Sequence, residues 1–171
     1  MQGLRLPRDV EEALDARWLV HELAAHSQPL WRGGELRVPH SALSAGLEAA
    51  LKSAYSAGRI VRGLEGAERA LGTEKRGLQQ VDRRTGVARG GRVSRLLVLA
   101  DDGSERFYRT VESLLQRHAP RVLALRLSVD EAALGRLLFG REAVARLLLV
   151  EHKQAVSAVL LALARQWGAH V

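Results

Sequence analysis

Residues 93–129 read VSRLLVLADDGSERFYRTVESLLQRHAPRVLALRLSV. Val93–Ala100 is an almost unbroken apolar run with β-branched content, the pattern of a strand covered on both faces. Ser104–His118 reads as a helix stopped before Pro120. Val122–Val129 alternates enough to be the next strand. Strand, helix and strand in this order predict an α/β layered fold.

The same alternation continues toward the C-terminus. Ser128 with Glu131, or Asp130, can cap a helix that runs to Phe139 and ends at Gly140. Ala145–Val150 is another buried strand. His152–Trp167 is an amphipathic helix with Val156, Val159, Leu160 and Leu163 inward. Upstream, Asp9-x-x-Glu12 is a capping pattern before a helix over 10–25. Glu35–Val38 is a short strand candidate. A helix over about 42–57, capped by Ser41 or Ser44, has Leu47, Leu51, Ala54 and Tyr55 as its apolar stripe, and Gly58 ends it. Arg59–Arg62 is a short strand, and Glu65–Leu71 a short helix after Gly63.

The chain has 171 residues, enough for one domain with an extension and a sizeable core. Its 47% hydrophobic content argues against disorder. The absence of cysteine excludes thiol nucleophiles, disulfides and Cys-ligated metals. No run reaches the length of a membrane span, and residues 1–10 lack a signal-peptide core. A cytoplasmic protein with no membrane partner is expected. His21 and His26 resemble a zincin pair spaced one residue too far. Five residues of helix turn by about 140°, so the two rings do not share a metal. There is no Walker A loop and no nucleophile elbow. No metal or cofactor is expected.

Net charge is +7, and of the 26 basic residues only three are lysine. Arginine is the better bidentate phosphate ligand, which suggests an anionic partner. The excess is concentrated: residues 72–95 hold seven basic and two acidic groups. The seven are Lys75, Arg76, Arg83, Arg84, Arg89, Arg92 and Arg95. Glycines punctuate them, so the stretch reads as a loop or hairpin, either a solvated linker or a phosphate-contacting arm.

Three groups lie where α/β folds often carry chemistry. Asp101 and Asp102 follow an apolar strand, but Asp102 reads better as the cap of the next helix. His152 also sits at a strand end, where a surface or capping role is the better reading.

Several motifs, in order, resemble the ribosomal L-seven-Ae/L-thirty-e superfamily, which binds kink-turn RNA. Leu51-Lys52-x-Ala54 through Ala57-Gly58-Arg59-Ile60-Val61-Arg62-Gly63 resembles the family's first helix, its Ala-Gly-Lys turn and its short strand into a glycine. Ala70-Leu71 falls at the family's second helix. Leu97-Val98-Leu99-Ala100-Asp101-Asp102 resembles its strand and acidic turn, and Leu134-Gly135 with Gly140 its Leu-Gly helix and glycine loop. The match covers residues 45–165 or so. It implies a three-layer α/β/α sandwich with a mixed four-stranded sheet, residues 45–171 forming an RNA-binding-like domain. Residues 1–44 are then a helical N-terminal extension, available to a protein partner or a homodimer, and 72–95 is a basic insertion.

The resemblance further implies a non-enzymatic protein that binds structured or ribosomal RNA. Arg59, Arg62, Gly63, Leu64, Glu65 and Arg69 would line one side, and Gly140 and Arg141 the other. Arg83, Arg84, Arg89 and Arg92 would add phosphate contacts. RNA-binding members often carry Gly-x-Asn-Glu at the start of the second helix. Here Glu65 and Gly66 take the last two places, so shape and phosphate contacts are expected to dominate. The alternative is a protein-interaction module on the same fold that has lost RNA binding. A nucleotide-binding enzyme using Asp101, Asp102 or His152 is a third reading.

Overall fold

The computed structural model describes residues 1, 3–86 and 91–168. In chain order the elements are α1 (Arg8–Ala13), α2 (Ala16–Ala25), β1 (Ser27–Pro29), β2 (Arg37–Ser41), α3 (Ala45–Ser56), β3 (Ile60–Arg62), α4 (Leu64–Thr85), β4 (Arg95–Leu99), α5 (Glu105–His118), β5 (Val122–Leu127), α6 (Glu131–Phe139), β6 (Leu147–Val150) and α7 (Lys153–Gln166).

The strands form one open mixed sheet in the order β1-β2-β5-β4-β6-β3. β4 lies parallel to β5, from Arg95 opposite Val122 to Leu99 opposite Arg126. It lies antiparallel to β6, which in turn pairs antiparallel with β3. β2 runs parallel to β5 only at His40–Arg126 and Ser41–Leu127. The expected α/β class holds, but the sheet has six strands instead of four. Residues 45–165 supply four of them, and β1 and β2 come from the N-terminal extension, where the strand candidate Glu35–Val38 overlaps β2 at Arg37 and Val38 and β1 was not expected.

Side chains alternate across the sheet. Leu96, Val98, Leu123, Leu125, Leu148 and Val150 face one core, shared with buried residues of α1, α2, α3, α6 and α7. Leu97, Leu99, Val122, Ala124, Leu147 and Leu149 face the other, under α4 and α5. Helices on both faces explain why the central strands read as continuous apolar runs.

Local chemistry sets most helix ends. Ser44, Ser104 and Asp130 each accept a hydrogen bond from the backbone N–H three residues on, at 3.1, 3.1 and 2.7 Å. Asp102 is therefore not the cap of α5; its Oδ1 accepts from the Glu131 N–H at the start of α6, at 2.9 Å. The expected helix over 10–25 is broken at Leu14–Asp15. Asp15 caps α2, and α1 starts after Pro7 with no side-chain cap.

The largest correction concerns residues 72–95. Over residues 72–85 the expected loop is instead the second half of a 22-residue helix, α4, capped by Gly86; residues 87–90 of the stretch lie outside the described residues. Glu74 anchors it by accepting from Arg95 Nε at 2.9 Å and Arg121 Nη2 at 2.6 Å. Lys75 Nζ donates to the Arg117 carbonyl at 2.8 Å.

Candidate functional site

Two glycine-bearing turns meet at one end of the sheet. The first joins β3 to α4. Gly63 has φ 90 and ψ 159, a backbone region that side-chain-bearing residues rarely adopt. No atom lies within 4 Å of where its Cβ would stand, so the space above it is open. Its N–H donates to the Leu147 carbonyl at 2.8 Å, which ties the turn to β6. Leu64 packs into the core below α4. Glu65 is exposed in the first turn, where its charge complements the helix dipole. Gly66 is confined by β3: a Cβ there would lie 2.9 Å from Val61 Cγ1.

The second turn joins α6 to β6. Gly140, at φ 109, ends α6. The chain then doubles back, with the Ala143 N–H donating to the Gly140 carbonyl at 3.1 Å and the Ala145 N–H to the Glu131 carbonyl at 2.8 Å. This return path crosses α6 at Gly135, where a Cβ would overlap the backbone of Ala143 and Val144. Leu134-Gly135 thus has a packing reason: only glycine lets the loop lie this close.

Arg62 fastens the two turns together. Its Nε and Nη2 donate to the Val144 carbonyl at 3.2 and 2.6 Å. Its guanidinium also stands 4.8 Å from the Phe139 ring centroid. Tyr55 meets Phe139 edge-on, with centroids 5.2 Å apart. Tyr55 is 44% exposed and Val144 49%. Tyr55 was expected in the apolar stripe of α3, whose other members Leu47, Leu51 and Ala54 are buried. It lies about 80° around the helix from Leu47, and that offset is the signal which could have placed it outside the core. Val144 carries no such signal.

Of the sequence-derived site residues, Arg62, Gly63, Glu65, Gly140 and Arg141 sit on or beside these turns. Arg69 follows one helical turn after Glu65. Arg141 and Arg69 are exposed and form no ion pair among the described residues. Arg59 immediately precedes β3, about 13 Å from Gly63 along the strand. Arg83 and Arg84 occupy the last turn of α4, about 29 Å from Gly63 along the helix. Arg92 is turned inward: its Nη1 donates to the Leu6 carbonyl at 2.8 Å and pairs with Glu11 at 2.7 Å. Arg89 lies outside the described residues.

The remaining candidates have structural partners. Asp101 pairs with Arg126 at 2.7 Å, and His152 caps α7 by accepting from the Gln154 N–H at 3.2 Å. His26 stacks flat on Trp167 at 4.0 Å between centroids, and its Nδ1 lies 2.8 Å from the Glu22 carbonyl. Among the described residues no group of three His, Asp or Glu side chains is placed to hold a metal ion, and no helix is long and apolar enough to cross a membrane.

No protein-family model matches the chain, and no curated protein matches it. Among solved structures it is similar to a protein of unknown function from Bacillus halodurans C. The two share 19% identity over 71% of this chain and 99% of the other, with a TM-score of 0.47.

Proposed function

We propose that this chain is a non-enzymatic RNA-binding protein of the L-seven-Ae/L-thirty-e type, which takes structured RNA against the Gly63 and Gly140 turns. The observation that carries the reading is the fastening of these turns to one another by Arg62 and of the first to β6 by the Gly63 N–H, with open space above Gly63. The positive end of α4 points at that space, where backbone N–H groups suit a phosphate. Arg69 and Arg141 are free to add charge. The four strands and two helical layers supplied by residues 45–165 support the same reading.

Glu65 and Gly66 leave few side chains to read bases. Tyr55 is one exposed ring, too little for an aromatic platform. Phosphate and shape contacts therefore supply the affinity. A second reading has an observation of its own: Tyr55 and Val144 are exposed apolar groups at these turns, which suits a protein partner better than a polyanion.

Binding of nuclease-treated protein to a kink-turn RNA, a plain duplex and a single strand, across a salt series, separates the two. Six phosphate contacts would give a log–log salt slope of about −4 to −5. Arg69→Ala and Arg141→Ala should each lower the slope by about one. Absence of binding to all three RNAs at low salt overturns the RNA reading and leaves the protein-interaction module.

A further inference from the structure

The opposite end of the sheet holds a separate cavity. The start of α1, the segment 92–94 and the first two turns of α7 enclose about 380 Å³, within the range of small-ligand pockets. Its polar lining is Arg8, Asp9, Arg92, Ser94, Lys153 and Ser157.

Ser157 is the unusual member. It is only 4% exposed, and its buried hydroxyl has no hydrogen-bond partner among the described residues. A helical serine normally bonds back to the preceding turn or to water. A buried hydroxyl left unpaired costs stability, and such groups call for an explanation. Lys153 stands one turn earlier on the same helical face. Neither Lys153 nor Arg8 forms an ion pair among the described residues. Arg92 is held in place by Leu6 and Glu11. Ser94 Oγ accepts from Arg121 Nη2 at 3.0 Å, which leaves its own proton to donate.

The field here is positive. Burial first, then Arg59, Arg95 and Lys153, pushes the neighbouring His152 imidazole below its ordinary pKa. Asp9 is the one carboxylate in the lining. A lining of guanidinium, ammonium and hydroxyl groups is rich in donors and poor in acceptors, which suits a tetrahedral oxyanion.

We propose that this cavity binds the phosphate of a phosphomonoester, with Ser157 and Ser94 donating hydrogen bonds and Arg8, Arg92 and Lys153 balancing its charge. The proposal goes beyond the RNA reading and does not depend on it, because the cavity and the glycine turns lie at opposite ends of β6.

Titration of the full chain with inorganic phosphate at constant ionic strength, followed by amide chemical shifts, tests it. Saturable binding is expected, with the largest shifts at Ser94, Lys153 and Ser157. Ser157→Ala should weaken it by about tenfold, and Arg106→Ala, an exposed residue of α5, should leave it unchanged. Ser157→Ala is safe for folding, since alanine is the better helix former and the orphan hydroxyl disappears. Without phosphate its Tm should rise, and phosphate should narrow that gain. The proposal is overturned by no saturation in the millimolar range, by an equal response to added chloride, or by unchanged phosphate affinity in Ser157→Ala. Two further ligands identify the source. Glycerol phosphate shifting the same amides indicates a small ligand. A 5′-phosphorylated oligonucleotide doing so, with its 5′-hydroxyl counterpart silent, indicates a nucleic-acid end.

Discussion

His40 stands on β2 opposite Arg126, and its Nε2 is buried without a partner among the described residues. Burial, reinforced by the Arg126 charge and partly offset by Asp101, holds its pKa below the ordinary 6.5. The unfolded chain therefore takes up this proton at a higher pH than the folded one. Stability is full above about pH 6.5 and falls as the pH drops from there toward the folded-state value. His118 and His152 are lowered too, so they act in the same direction. Urea midpoints should be lower at about pH 5.5 than at about pH 7.5, and His40→Gln should reduce the difference. A flat profile would show that these rings are solvated as freely as in the unfolded chain. Gly135 gives a second test at this scale. A methyl group there meets backbone, which cannot rotate out of the way as a side-chain tip can. Gly135→Ala should destabilise the fold by about 2 kcal/mol, read from denaturant midpoints, and should displace the 140–146 loop.

Elements were legible in the sequence where local chemistry and burial agree. β4, β5 and β6 are apolar because helices cover both faces, and Ser104 and Asp130 mark helix starts by the bonds they accept. β1 and β2 were harder to read. They are short and carry Pro29 and Pro39; β1 pairs only with β2, and β2 owes its place in the sheet to β5, far along the chain. The second half of α4 was hidden for a related reason. Gly77, Gly86, Gly90 and Gly91 among a run of charge read locally as a loop, and Gly72 and Gly77 together cost the helix about 2 kcal/mol. Glu74 offsets that cost through Arg95 and Arg121, distant in sequence. At the site, Gly63 and Gly140 stood out as turns, whereas the Arg62–Val144 link and the inward Arg92–Glu11 pair join segments that no local pattern connects. Glu74→Ala should therefore loosen α4 selectively. Amide exchange over 72–85 should speed up while 64–71 stays protected, at a cost of about 1–2 kcal/mol, reduced from a fully buried pair by partial exposure. Equal exchange in wild type and variant would place the anchor elsewhere.

At the scale of the whole molecule, residues 1–44 do more than decorate the domain that follows. Leu6, Val10, Leu19 and Leu23 are fully buried in the core that α3, α6 and α7 share. β2 borders β5, so the segment also covers a sheet edge that would otherwise be open. On the other face, Trp31 Nε1 and the Leu36 N–H donate to the two oxygens of buried Glu112 at 2.9 and 2.6 Å. Each of the four buried side chains contributes about 1.5–3 kcal/mol. Together they reach roughly 6–12 kcal/mol, comparable to the whole net stability of a typical domain at about 5–15 kcal/mol. Without them the rest of the chain would also expose Glu112 unpaired and one flank of β5. Residues 45–171 alone should therefore fail to fold cooperatively, with collapsed amide dispersion and no thermal transition. Adding residues 1–44 as a separate peptide should restore both in part, since the missing contacts are non-covalent. A truncated chain that melts cooperatively near the full-length Tm would mean that the second core is sufficient. Residues 1–44 would then be free to serve a partner.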